Sequence, residues 1–218
     1  MLINTLCLLQ KDPDLQTQKL VIKHTMKAIV GYGDAMLHFL QQYHWSYAEK
    51  RKRILAHPEI SVKFKRLYDD AINFRFNPKY ELYLKKDLTN WQDEVKQELA
   101  DVHLSCEQTR LNDPSLSWEN YLSKGFLELL HEREFTLKEI IKRMLSFTRR
   151  KSGKLPDSMS LKERIAYSSA TEESILPLVY PYLAFNPKIK LQRSALLTFF
   201  TSHFKQPENA KLRHMIAA

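Results

Sequence analysis

Four glycines in 218 residues narrow the folds open to this chain more than any motif does. Average usage is about 7%, and sheet proteins draw on that supply for the positive-φ positions of their hairpin turns. A chain so poor in glycine builds helices joined by short turns. The expected fold is therefore all-α, an antiparallel helical bundle with a second helical layer. With 44% hydrophobic and 27% charged residues, a chain of this length can bury a sizeable core.

Apolar spacing places the helices. Ile22, Met26, Ile29, Gly33, Met36 and Leu40 recur in steps of four and three, one face of a helix over residues 15–43. Gly33 lies on the stripe itself, where it costs about 1 kcal/mol of helix propensity relative to Ala; close approach of a neighbouring helix accounts for it. Asp34 beside it is the one charged residue between Ala28 and Gln42. Ser46 and Glu49 have the spacing of a capping box ahead of a basic helix over 47–56, which His57-Pro58 ends. A helix over 59–76 turns Ile60, Phe64, Leu67, Tyr68, Ala71 and Ile72 inward and closes at Asn77-Pro78. Tyr80, Leu84, Leu88, Trp91, Val95, Leu99, Val102 and Cys106 then stay in phase over about seven turns, which predicts one continuous helix.

The turn Asn112-Asp113-Pro114 divides residues 1–112, the bundle, from residues 113–218, a second helical layer expected to pack on the first as one compact unit. Further helices are expected over 117–131, 136–149, 160–170, 187–204 and 207–215. Pro177 and Pro181 keep any helix between 175 and 185 short or kinked. The apolar residues 1–9 are expected to pack back on the body.

The net charge is +9, with pI near 9.4, which favours nucleic acid, a phosphorylated ligand or an acidic partner. Cys7 and Cys106 stand far apart with apolar neighbours, as buried free thiols do in a reducing compartment. No run approaches a membrane span, and residues 1–9 lack the positive start of a signal peptide; the expected location is cytoplasmic, away from membranes. The glycine-rich phosphate loop, the strand-turn serine and the H-E-x-x-H helix are all missing. The eight histidines have no metal spacing. Neither metal nor cofactor is expected.

Lys27-Ala28, Asp34-Ala35-Met36-Leu37, the Tyr43–Tyr47 segment, Arg51, Tyr68, Ala71, Phe74 and Pro78 together resemble the helical domain that follows the catalytic domain of bacterial nucleotidyltransferases. That group shades into the HEPN helical domains, partners of minimal nucleotidyltransferases. The resemblance covers about fifty residues and implies an accessory domain flanking a nucleotide or acceptor site, with a catalytic nucleotidyltransferase as partner. The catalytic Gly-Ser motif and paired metal-binding aspartates are missing from this chain. Asp69 and Asp70, adjacent on a helix, diverge by about 100° and cannot replace them.

On this reading a nucleotide pocket would form around Asp34, Trp45, Tyr47 and Arg51. Arg51-(x)5-His57 also has the spacing of HEPN ribonucleases, which implies an alternative: a metal-independent ribonuclease assembled in a homodimer cleft, His57 moving a proton and Arg51 stabilising the phosphorane. Lys52 and Pro58 depart from that pattern. The plainer role for Arg51 is an ion pair with Asp34 or Glu49.

A second basic cluster, Lys138, Lys142, Arg143, Arg149, Arg150, Lys151 and Lys154, runs from a helix end into a loop. The helix dipole accounts for two or three of these cations. Arg149, Arg150, Lys151 and Lys154 exceed that need and are candidates for RNA or DNA phosphate contact. The expected function is thus a non-catalytic helical protein that binds a nucleotide, a nucleic acid or a protein partner. A purely structural interaction module is the further alternative.

Overall fold

A computed structural model describes residues 13–131 together with Ser160, Leu178, Pro181, Tyr182 and Phe185. The described residues hold six helices and no strand, so the fold is all-α. Contacts divide the chain into two compact units between Pro114 and Ser115.

Helix α1 spans Leu15–Phe39, and Asp14 caps it by accepting the Thr17 N–H at 2.8 Å. Val21, Ile22, Met26, Ile29 and Leu37 are buried along one face. The helix stops a turn before residue 43 because Gln41 enters the left-handed region at φ 60°, and the Gln42 N–H donates back to the Leu37 carbonyl at 2.8 Å.

Helix α2, Tyr47–Ala56, begins at Ser46, whose hydroxyl makes no cap. The expected capping box does not form, since Glu49 accepts instead from Arg53 Nε at 3.0 Å. His57, ahead of Pro58, is extended and ends the helix. Helix α3, Val62–Phe76, starts three residues later than the apolar spacing suggests, where Ser61 Oγ accepts the Phe64 N–H at 3.0 Å.

The helix expected to run on from Tyr80 is broken. A single turn, α4 (Glu81–Leu84), precedes α5 (Leu88–Arg110). Asp87 caps α5 by accepting from Thr89 and Asn90 at 3.0 and 3.2 Å. Leu88, Trp91, Val95, Leu99, Val102 and Cys106 keep their phase and are buried.

Cross-helix pairs give the topology. Gly33 faces Tyr68, whereas Met26 shares a wall with Phe74, so α1 and α3 are antiparallel. Ser61 reaches Glu98, while Phe74 meets Tyr83, which meets Trp91, so α3 and α5 are antiparallel too. Thr25 pairs with Gln92 and Tyr32 with His103, which sets α5 parallel to α1. This is an up-down-up three-helix bundle, with α2 strapped antiparallel to α3. Within this unit helix α1 touches all four other helices. A Cβ at Gly33 would overlap the Tyr68 ring, the close approach that the stripe glycine implied.

In the second unit, Asn120 Oδ1 accepts the Ser117 N–H at 2.7 Å. The turn it closes delays helix α6 to Tyr121–His131, four residues beyond the expected start. Gly125 lies against Leu178, Tyr121 stacks on Tyr182 at 6.3 Å, and Trp118 meets Phe185 at 6.3 Å. Leu178, Pro181, Tyr182 and Phe185 are helical. Residues 1–9 with Cys7, and the helices expected over 136–149, 160–170, 187–204 and 207–215, lie outside the described residues, Ser160 apart. No helix among the described residues is long and apolar enough to cross a membrane.

Two measurements test this architecture. Gly33→Ala should lose about 2 kcal/mol in denaturant titration by forcing α1 from α3. Gly31→Ala, where a Cβ meets open space, should gain about 0.5–1 kcal/mol of helix propensity. Burial also pushes the His103 imidazole down to about 4. The unfolded chain therefore takes up a proton near pH 6.5 that the folded chain refuses, and stability falls from pH 6.5 towards 4. The loss is about 1–3 kcal/mol, and His103→Gln should flatten that slope.

Candidate functional site

The Gly33–Tyr68 contact is one end of the α1–α3 seam. Towards the other end the two helices enclose a cleft of about 470 Å3, within the usual range for small ligands. Met26 and Val30 of α1 and Ala71 and Phe74 of α3 form its apolar floor. Lys23, Lys27 and Arg75 stand at its rim, and Tyr47 and Tyr80 add aromatic walls. The lysines follow Ile22 and Met26 by one residue, so each projects about 100° round the helix from the buried stripe. No carboxylate lines the cleft among the described residues, and Lys23, Lys27 and Arg75 make no ion pair there. The neighbouring His24 is held below its ordinary pKa, first by burial and then by the positive charge of Lys27.

A polar cluster fixes the Tyr47 wall. Lys50 reaches back from α2 to Asp34 of α1 at 2.7 Å, with its side chain only 3% exposed. Its ammonium also sits 4.2 Å from the Tyr47 ring centre and 5.3 Å from that of Tyr43. Tyr68 donates to the second Asp34 oxygen at 3.4 Å, and burial followed by the Asp34 charge pushes that phenol up. The Arg75 guanidinium lies 4.4 Å from the Tyr47 ring as well, so one ring holds two cations.

Of the four residues chosen from sequence for a ligand pocket, Tyr47 lines this cleft. Asp34 is engaged by Lys50 and Tyr68. Arg51 pairs with Asp69, not with Asp34 or Glu49; those carboxylates belong to Lys50 and Arg53. Trp45 stands 81% exposed, stacked on His44 at 5.5 Å. His57 Nδ1 accepts the Glu59 N–H at 3.3 Å, so Arg51 and His57 are each turned to local partners. Asp69 faces Arg51, while burial holds the Asp70 carboxyl above its ordinary pKa, with Lys86 opposing that shift and Asp69 adding to it. Arg149, Arg150, Lys151 and Lys154 lie outside the described residues.

Sequence reasoning missed Lys23, Arg75, Phe74 and Tyr80 as parts of one site. The legible signal was the four-residue spacing of Lys19, Lys23 and Lys27 beside the apolar stripe.

An apolar floor with aromatic walls and three rim cations can hold a flat ring and neutralise phosphate oxygens. Among the described residues its lining includes no His, Cys, Ser, Thr, Asp or Glu. Among the described residues no three His, Cys, Asp or Glu side chains converge as a metal site would need. No family model, curated protein or solved structure matches the chain.

The Asp34–Lys50 pair makes an asymmetric prediction. Asp34→Asn strands a buried ammonium and should destabilise by about 3 kcal/mol. Lys50→Met leaves Asp34, 28% exposed, in reach of water and should cost about 1 kcal/mol. Urea titration of the two variants compares them directly, and equal losses would contradict the asymmetry.

Proposed function

We propose that the first helical unit is a non-catalytic binding module that takes a nucleotide in the α1–α3 cleft. The observation that carries this reading is the cleft itself: three cations, Lys23, Lys27 and Arg75, round an apolar and aromatic interior with no competing carboxylate among the described residues. The phosphate meets the rim, and the base meets Phe74 and Tyr80. The resemblance to nucleotidyltransferase accessory domains points the same way, since such a domain flanks a nucleotide or acceptor site. In that arrangement a separate nucleotidyltransferase chain supplies the chemistry.

A thermal-shift and calorimetry series with nucleoside monophosphates tests the reading. Ligand at a hundredfold excess over its Kd should stabilise the protein by about 2.7 kcal/mol. Lys27→Glu and Arg75→Glu, both at exposed positions, should keep the fold and weaken binding about tenfold or more. Loss of binding in Trp45→Ala but not in Arg75→Glu would move the site to the corner between α1 and α2. No shift with any nucleotide would leave the interaction module as the better account.

A further inference from the structure

The cations on α1 extend past the cleft. Lys19, Lys23 and Lys27 follow one another at intervals of four residues, so each is displaced about 6 Å along the axis and only about 40° round it. Lys19 is not part of the cleft lining, yet its ammonium lies 5.9 Å from the ring of Tyr80, which is. The three therefore form one ladder that enters the cleft at Lys23 and Lys27 and leaves it past Tyr80 at Lys19. From Leu15 to Gly33 the helix carries no Asp or Glu. None of the three lysines makes an ion pair among the described residues. A helix surface ordinarily intersperses acids with such lysines for opposite-charge support, and this one does not.

A single nucleotide uses the rim of the cleft and leaves Lys19 without an anion. We infer that the ligand is a single-stranded nucleic acid laid along α1, with its terminal base in the cleft and successive phosphates on Lys27, Lys23 and Lys19. The step between lysines is close to the separation of neighbouring phosphates on an extended strand. Arg75, 4.4 Å from the Tyr47 ring centre, adds its N–H donors to the terminal phosphate, and Tyr80 supplies the ring past which the strand leaves. A positive track with interleaved aromatics is the ordinary means of holding single strands without sequence preference.

The inference rests on the nucleotide reading of the cleft, and a length series separates the two. The probes are uridine 5′-monophosphate and 5′-phosphorylated oligouridylates of two, three and four nucleotides, titrated against the whole protein by calorimetry or fluorescence anisotropy. Affinity should rise to the trinucleotide, about tenfold in all, and then level off. The trinucleotide should lose affinity with salt at a logarithmic slope of roughly −2, three phosphates at about 0.7 each. Lys19→Gln should remove the last step of the series and make the slope shallower by about 0.7. Lys63→Gln, three turns from Arg75 along α3 and paired with Glu98, should change neither. If the monophosphate binds as tightly as the trinucleotide, the track is refuted and the nucleotide cleft stands. If neither binds, both fall. A length dependence that survives Lys19→Gln unchanged would also overturn the track along α1.

Discussion

The contact between Gly33 and the Tyr68 ring sets the spacing on which the first unit depends. A methyl group in place of the glycine hydrogen would overlap the ring, so the two helices can approach there only because Cβ is missing. That approach brings the Tyr68 hydroxyl to Asp34, and Asp34 in turn receives Lys50 from α2. Three helices are joined at one corner by one absent side chain. Both ends of the seam follow: it is closed at Gly33, and towards Lys23 it opens enough to hold a ligand.

Lys50 sits in a run, Glu49-Lys50-Arg51-Lys52-Arg53, in which every residue is charged. Four of its five side chains have defined ion-pair partners. Glu49 and Arg53 pair along the helix, Arg51 turns to α3, and Lys50 turns inward. Tyr47, Lys50 and Ile54 follow the spacing of an inward face, and burial of Lys50 among tyrosine rings therefore demanded an acid on the facing helix. Asp34, the lone charge in its stretch, supplies it. The charge chosen from sequence as a ligand contact is thus part of the support for Tyr47, one shell behind the cleft.

How far the sequence could be read depended on whether a feature was local. Scarce glycine implied helices, and in-phase apolar residues fixed the faces of α1, α3 and α5, because burial selects side chains one turn at a time. The end of α1 was hidden: Gln41 adopts a left-handed conformation that glycine usually marks. The break before α5 was hidden too, since Leu84 and Leu88 remain in phase across Asp87. The cleft was the least legible feature. It exists only once the register between α1 and α3 is known, and a register is a relation between segments that neither segment encodes alone.

The up-down-up connectivity has a consequence for the order in which contacts can form. Asp34 and Tyr68 are separated by 34 residues, whereas the buried hydrogen bond from Gln92 to Thr25 spans 67. Doubling a loop raises its closure entropy by only about 0.6 kcal/mol, but the parallel pairing of α1 with α5 must carry that excess unless α3 is already in place. Once the α1–α3 hairpin has formed, α5 docks against a surface made by both and closes a much shorter effective loop. The seam that holds the cleft is therefore also reached at lower entropic cost than the pairing of α1 with α5.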